Sequence, residues 1–146
     1  MKSFQTKDKS LETNPDYIRV RDAVYLLIDS GFNDKYFGQC IDASRMVMAI
    51  LAQFNVKSHM QECCALLTIG DKNVQLYAIG FYEDHKVGRV DTHYVTITDT
   101  ETPLLIDMSI GKILLNEEKI ILEKAEDAMI LGNYAHDNFK LTYIRK

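Results

Sequence analysis

The spacing of apolar residues along this chain changes at Asn55, and that change limits the fold more than any other feature of the sequence. Ahead of Asn55, apolar side chains recur every three or four positions, as one face of a helix requires. Beyond it they alternate or run together, as strands require. Helices first and a run of antiparallel strands afterwards is an α+β pattern.

In the first part, Asn14 caps a helix that has Pro15 at its first turn and Asp16 near the positive end of its dipole. Val20, Val24, Leu27 and Ile28 carry its period, and Gly31 ends it. Phe32 to Gln39 reads as a loop. A second helix is expected from about Cys40 to Phe54, with Ile41, Ser44, Met48 and Leu51 near one face, widened by Val47, Ile50 and Phe54.

After Asn55, Val56 to Ile69 and Val74 to Tyr82 read as strands about a turn at residues 71–73, and Glu83 to Gly88 as a charged loop. Arg89 to Thr98 alternates, placing His93, Val95 and Ile97 on one face. A turn at residues 100–103 leads to a strand over Leu104 to Met108. A helix is expected within Glu117 to Leu131, and the closing LTYIR reads as a last strand. His136 is expected in a surface turn.

With 146 residues the chain is long enough for one domain with a substantial core. Residues 1–13 read as a loose polar N-terminal tail and 14–146 as the domain. A formal charge of −4, with no basic cluster among aromatics, argues against nucleic acid and anionic membranes as partners. Cys40, Cys63 and Cys64 cannot all pair within one chain, which points to free thiols in a reducing compartment. The polar first residues lack the apolar core of a signal peptide, and no apolar run has the length of a membrane span. The expected location is cytoplasmic.

Two groups of residues bear chemistry. His59, Cys63, Cys64 and His85 offer metal-type ligands, but a strand turns Cys64 away from His59 and Cys63, and no Cys-x-x-Cys knuckle is present. No metal and no cofactor are expected. The second group is Cys40, His93 and Asp107. Acyl transfer through sulfur needs a thiolate, a base to make it and a group to orient that base. A thiol at a helix N-terminus is favoured as thiolate by the unpaired amides there, and the same amides can bind an oxyanion. A hairpin about Thr98 to Pro103 sets Asp107 beside His93, where a carboxylate fixes the imidazole tautomer and leaves the other nitrogen to sulfur. Asp91 is a lesser competitor for that role.

The segment YFGQCIDASRMVMAILAQFNVKSHM resembles the nucleophile segment of the transglutaminase-like superfamily, in its Phe37-Gly38-Gln39-Cys40 loop, the helix after it and the turn into a strand at Asn55-Val56. THYVTITDTETPLLIDMSIG is similar to that family's His strand and the Asp-ending strand behind it. Leu105 to Gly111 is also similar to the Asp segment of arylamine N-acetyltransferases. The resemblance spans about Tyr36 to Gly111. It implies a papain-like fold in which a Cys helix packs on an antiparallel sheet carrying His and Asp. It also implies Cys40 as nucleophile, His93 as base and Asp107 as orienting carboxylate. The chain departs from the family in having no Trp: Ile41 follows the Cys, and Tyr94-Val95 follow the His. With the family's indole donor missing, Gln39 and Tyr36 are the candidates to join the Cys40 amide in binding an oxyanion or substrate.

The expected function is thiol-dependent acyl transfer on an amide, of a peptide or a glutamine-type side chain. Hydrolysis is favoured over amine transfer, because a small chain has few elements with which to hold a second substrate. The expected partner is a peptide or protein substrate. The alternative is a catalytically inactive binding or inhibitory protein on the same fold.

Overall fold

The computed structural model describes residues 3–5, 9–29, 40–69, 74–79, 82–84, 89–91, 93–109, 119–136 and 139–146, with the side chains of 3–5, 66–69, 74–79, 82–84, 89–91, 119, 136 and 139 set aside. The helix α1, Pro15–Asp29, starts where Asn14 Oδ1 accepts from the amides of Asp16 and Tyr17, at 2.9 and 3.3 Å. The helix α2, Cys40–Gln53, ends at Asn55, whose φ of 59° is left-handed. There the Val56 amide bonds the Leu51 carbonyl at 3.0 Å and the Asn55 amide that of Ala52 at 3.1 Å, a Schellman cap that turns the chain into the sheet. The stripe that α2 buries is Ala43, Ser44, Val47, Ile50 and Leu51; Ile41, expected on it, is exposed.

Ten strands follow from the described residues: β1 Ser3–Gln5, β2 Ser58–Ile69, β3 Val74–Ile79, β4 Tyr82–Asp84, β5 Arg89–Asp91, β6 His93–Thr98, β7 Leu104–Asp107, β8 Lys119–Lys124, β9 Ile130–His136 and β10 Phe139–Arg145. With two helices, this is an α+β chain. The main sheet runs β1-β8-β7-β6-β2-β10-β9, antiparallel except for β1 on β8, and β3 also pairs with β2. β4 and β5 form a separate hairpin. One edge of β2 carries β10 over Cys63–Ile69. The other carries β6 over Ser58–Cys63 and β3 over Ala65–Ile69, so the two meet end to end where β6 begins.

β8 and β9 lie at opposite ends of a six-strand run, yet residues 125–129 alone join them. The sheet therefore curls back on itself, and the Glu126 amide meets the Leu131 carbonyl at 2.6 Å across the seam. Its concave face encloses Cys63, Ala65, Val95, Ile97, Leu105, Ile121, Leu131, Tyr134, Leu141 and Tyr143. Its convex face, through Leu104, Ile106, Met108, Ile120 and Leu122, packs on α1 and α2.

Four expectations are corrected. Residues 117–131 hold strands and not a helix: β8 fills 119–124 and β9 starts at Ile130. The segment read as a loose tail contains β1 and a 3₁₀ helix over Lys9–Thr13 that buries Leu11. The strands expected over 74–82 and 89–98 are each shared between the main sheet and the β4–β5 hairpin, and His136 closes β9 instead of lying in a turn. No helix among the described residues is long and apolar enough to cross a membrane.

Candidate active site

Strand alternation decides where the candidate residues point. In β7, Leu104 and Ile106 face the helices, so Leu105 and Asp107 face the concave interior. In β6, Val95 and Ile97 face the same interior, and His93 joins them. Pairing of Thr96 with Ile106 brings Asp107 level with Val95, one inward-facing position from His93. The side chains meet: Nε2 of His93 lies 2.8 Å from Oδ2 of Asp107, with both residues buried.

Asp107 has further donors. The Tyr143 hydroxyl donates to Oδ2 at 2.9 Å, and the Ser109 amide and hydroxyl donate to Oδ1 at 3.0 and 3.1 Å. Burial pushes the Asp107 carboxyl up. The charge and hydrogen bond of His93, then the Ser109 and Tyr143 donors, outweigh burial and hold it below its ordinary value. Burial likewise pulls His93 down, while the Asp107 charge and hydrogen bond, helped by Cys40, raise it to about 10. The carboxylate and the imidazolium are thus each the condition of the other.

Cys40 is the first residue of α2, where backbone amides have no partner inside the helix. One turn on, Ser44 fixes the helix to β6: its hydroxyl donates to the Tyr94 carbonyl at 3.5 Å, and Thr96 Oγ1 donates to the Ser44 carbonyl at 3.4 Å. The half-buried thiol thereby reaches the start of β6, close enough to the ring for His93 to act on it as hydrogen-bond partner and as charge. The contact is looser than a full hydrogen bond, because Nδ1, the nitrogen Asp107 leaves over, is buried with no partner in hydrogen-bond geometry. Burial pushes the thiol up, but His93 and the Tyr94 backbone amide outweigh it, and Cys40 sits below the ordinary thiol value.

Cys40, His93 and Asp107 therefore form one cluster, in the order thiol, imidazole, carboxylate. Gln39 and Tyr36 lie outside the described residues, as does His85. The Asp91 side chain is likewise not described. Tyr143 and Ser109 are members of the cluster that the sequence reading passed over. The Asp-x-Ser spacing of Asp107 and Ser109 is a local signal of such a turn; Tyr143 carries none, since its partner is 36 residues away.

The other metal-type residues do not converge. Cys63 and Cys64 are buried, while His59 is exposed and pairs with Asp99 at 3.1 Å. Among the described residues no group of His, Cys, Asp and Glu has the arrangement of a metal site. Two clefts, of 670 and 350 Å³, both border Asp99 beyond the far end of β6 and not Cys40. They have no part in the thiol cluster. Comparison of the chain with family models, curated proteins and solved structures finds no match.

Proposed function

We propose that this chain is a thiol-dependent acyl-transfer enzyme of transglutaminase-like, papain-like type, acting on an amide of a peptide or protein. One observation carries the reading: a buried His93–Asp107 pair at 2.8 Å that leaves one ring nitrogen without a partner, with the thiol of Cys40, at a helix N-terminus, close enough to interact with the ring. In the reaction, the Cys40 thiolate attacks the amide carbonyl. The oxyanion that forms is met by amides of the first turn of α2. His93 as imidazolium hands its proton to the leaving amine, and an acyl-enzyme remains. His93, now neutral, draws a proton from water, and hydroxide releases the acid. Asp107 stays ionised throughout, held by four donors, and keeps Nε2–H of the ring turned toward itself. Hydrolysis is the preferred outcome, and no cofactor takes part in these steps.

The test needs no known substrate. Iodoacetamide alkylation of Cys40, followed by mass spectrometry across pH, has its midpoint below the ordinary thiol value of about 8.5. Wild type incubated with cell extract acquires a covalent adduct that Cys40→Ala does not. An ordinary midpoint and no adduct would overturn the reading. The absence of Trp, with Ile41 in the place after the nucleophile, favours a second reading: a binding protein on the same fold without turnover. That reading predicts stable capture of a partner by wild type and Cys40→Ala alike.

A further inference from the structure

The reaction leaves Cys63 unused, although it stands next to the machinery. It is directly opposite His93 in the β2–β6 ladder, and directly opposed residues project from the same face with Cβ atoms about 5 Å apart. That face is the concave interior, where Cys63 is fully buried. Cys40 reaches the same imidazole from the tip of α2. Two free thiols thus neighbour one ring, Cys40 half-buried and Cys63 fully buried. Charge on Cys40 is among the influences that, after burial itself, push the Cys63 thiol up, which places the two sulfurs in one electrostatic neighbourhood. Cys64, the adjacent thiol, points out of the opposite face of β2.

We propose that Cys63 is the resolving thiol of Cys40: a hydroperoxide oxidises Cys40, and Cys63 closes a Cys40–Cys63 disulfide that silences the site until a dithiol reopens it. The proposal rests on the reading of Cys40 as an activated nucleophile. The steps balance. The Cys40 thiolate attacks one oxygen of hydrogen peroxide and becomes a sulfenic acid, and the departing hydroxide takes a proton from the His93 imidazolium to leave as water. The neutral imidazole then accepts the Cys63 proton. The Cys63 sulfur attacks Cys40 and expels hydroxide, which regains that proton as a second water. Two thiols and one peroxide give one disulfide and two waters. His93 supplies what a thiol of raised pKa lacks, a base within the same pocket. In a reducing compartment such a bond is transient, as a regulatory disulfide is. It also spares Cys40 from sulfinic acid, which is not reversed by thiols.

The experiment treats the full chain with hydrogen peroxide, blocks remaining thiols, and maps peptides by mass spectrometry. The expected product is lighter by two hydrogens, about 2 Da, with Cys40 and Cys63 peptides joined. Its Cys40 no longer alkylates, and dithiothreitol restores alkylation. Cys64→Ser behaves as wild type, whereas Cys63→Ser and Cys63→Ala carry Cys40 on to sulfinic acid with no cross-link. If Cys40 alkylates readily at neutral pH yet wild type gives sulfinic acid or a Cys40–Cys64 link, the proposal falls and the enzymatic reading stands. If Cys40 resists both iodoacetamide and peroxide, both fall. The wild-type peptide map decides even if the Cys63 variants do not fold.

Discussion

Asp107 illustrates how far one residue's surroundings govern its chemistry. Four donors, one of them the neighbouring His93 cation, keep a wholly buried carboxyl ionised. Asp107→Asn keeps the shape and removes the charge, so the imidazolium loses its support at 2.8 Å. The carboxylate also disfavours the Cys40 thiolate, but from behind the ring and less strongly than it favours the ring's proton. The expected result is an upward shift of the Cys40 alkylation midpoint and a loss of roughly 10²-fold or more in turnover. Iodoacetamide titration checks the first and any acyl-transfer assay the second. A stability signature accompanies this. His93 has its folded pKa raised to about 10 from about 6.5. Its contribution is therefore fully present below about pH 6.5 and is lost as pH rises through about 10. Urea unfolding of wild type against His93→Gln is expected to show a gap that narrows over that window. Asp107 has its folded pKa lowered, so its contribution holds above the ordinary carboxyl range and disappears as pH falls through the depressed value.

At the scale of elements, two asparagines mark helix ends, Asn14 the start of α1 and Asn55 the passage from α2 into the sheet. Asn14 caps α1, and its Nδ2 also donates to Thr102 Oγ1 at 3.1 Å, while the Thr102 amide donates to Asp16 at 2.9 Å. The start of α1 is thus fastened to the turn between β6 and β7, the turn that sets His93 and Asp107 side by side. Asn14→Ala is expected to cost about 1–2 kcal/mol in chemical denaturation. Asn55→Gly, at a left-handed φ, is expected to be neutral or better, and Asn55→Val to destabilise by about 1 kcal/mol or more. Asn14 was legible as a cap from Pro15 and Asp16 after it, and Asn55 as the point where the period changes. β8 was not, for a reason visible in its side chains. Ile120 and Leu122 pack on the helices while Ile121 faces the concave core, so the strand is apolar on both faces and shows no alternation. An unbroken apolar run flanked by Glu and Lys reads equally as a buried helix, and periodicity cannot separate the two. β6 and β7 were legible through their alternation and the turn residues between them. The placement of His93 beside Asp107 was legible with them, and Tyr143 was not, since only the curl of the sheet brings it there.

For the molecule as a whole, that curl determines what encloses the concave core. A Cβ built on Gly132 of β9 would stand 3.2 Å from the Lys124 carbonyl oxygen of β8 and 3.5 Å from Leu105 Cδ1. The first distance is tighter than most Cβ contacts, so a side chain there obliges the Lys124 backbone to give by a few tenths of an ångström. Gly132→Ala is expected to cost about 1–3 kcal/mol, and Gly132→Val more, as a lower urea midpoint with unchanged slope. Because Leu105 and Asp107 are alternate residues of one inward-facing row, the Val variant is also expected to slow Cys40 alkylation. A further property belongs to β2, which holds β10 on one flank and β6 and β3 in line on the other. The backbone departs that flank at Ile79 and rejoins it at His93, and between the two points the described strands β4 and β5 pair with each other and not with β2. Because the imidazole's seat is the β2–β6 ladder, that hairpin can be rewritten or exchanged for another while His93 keeps its place opposite Cys63.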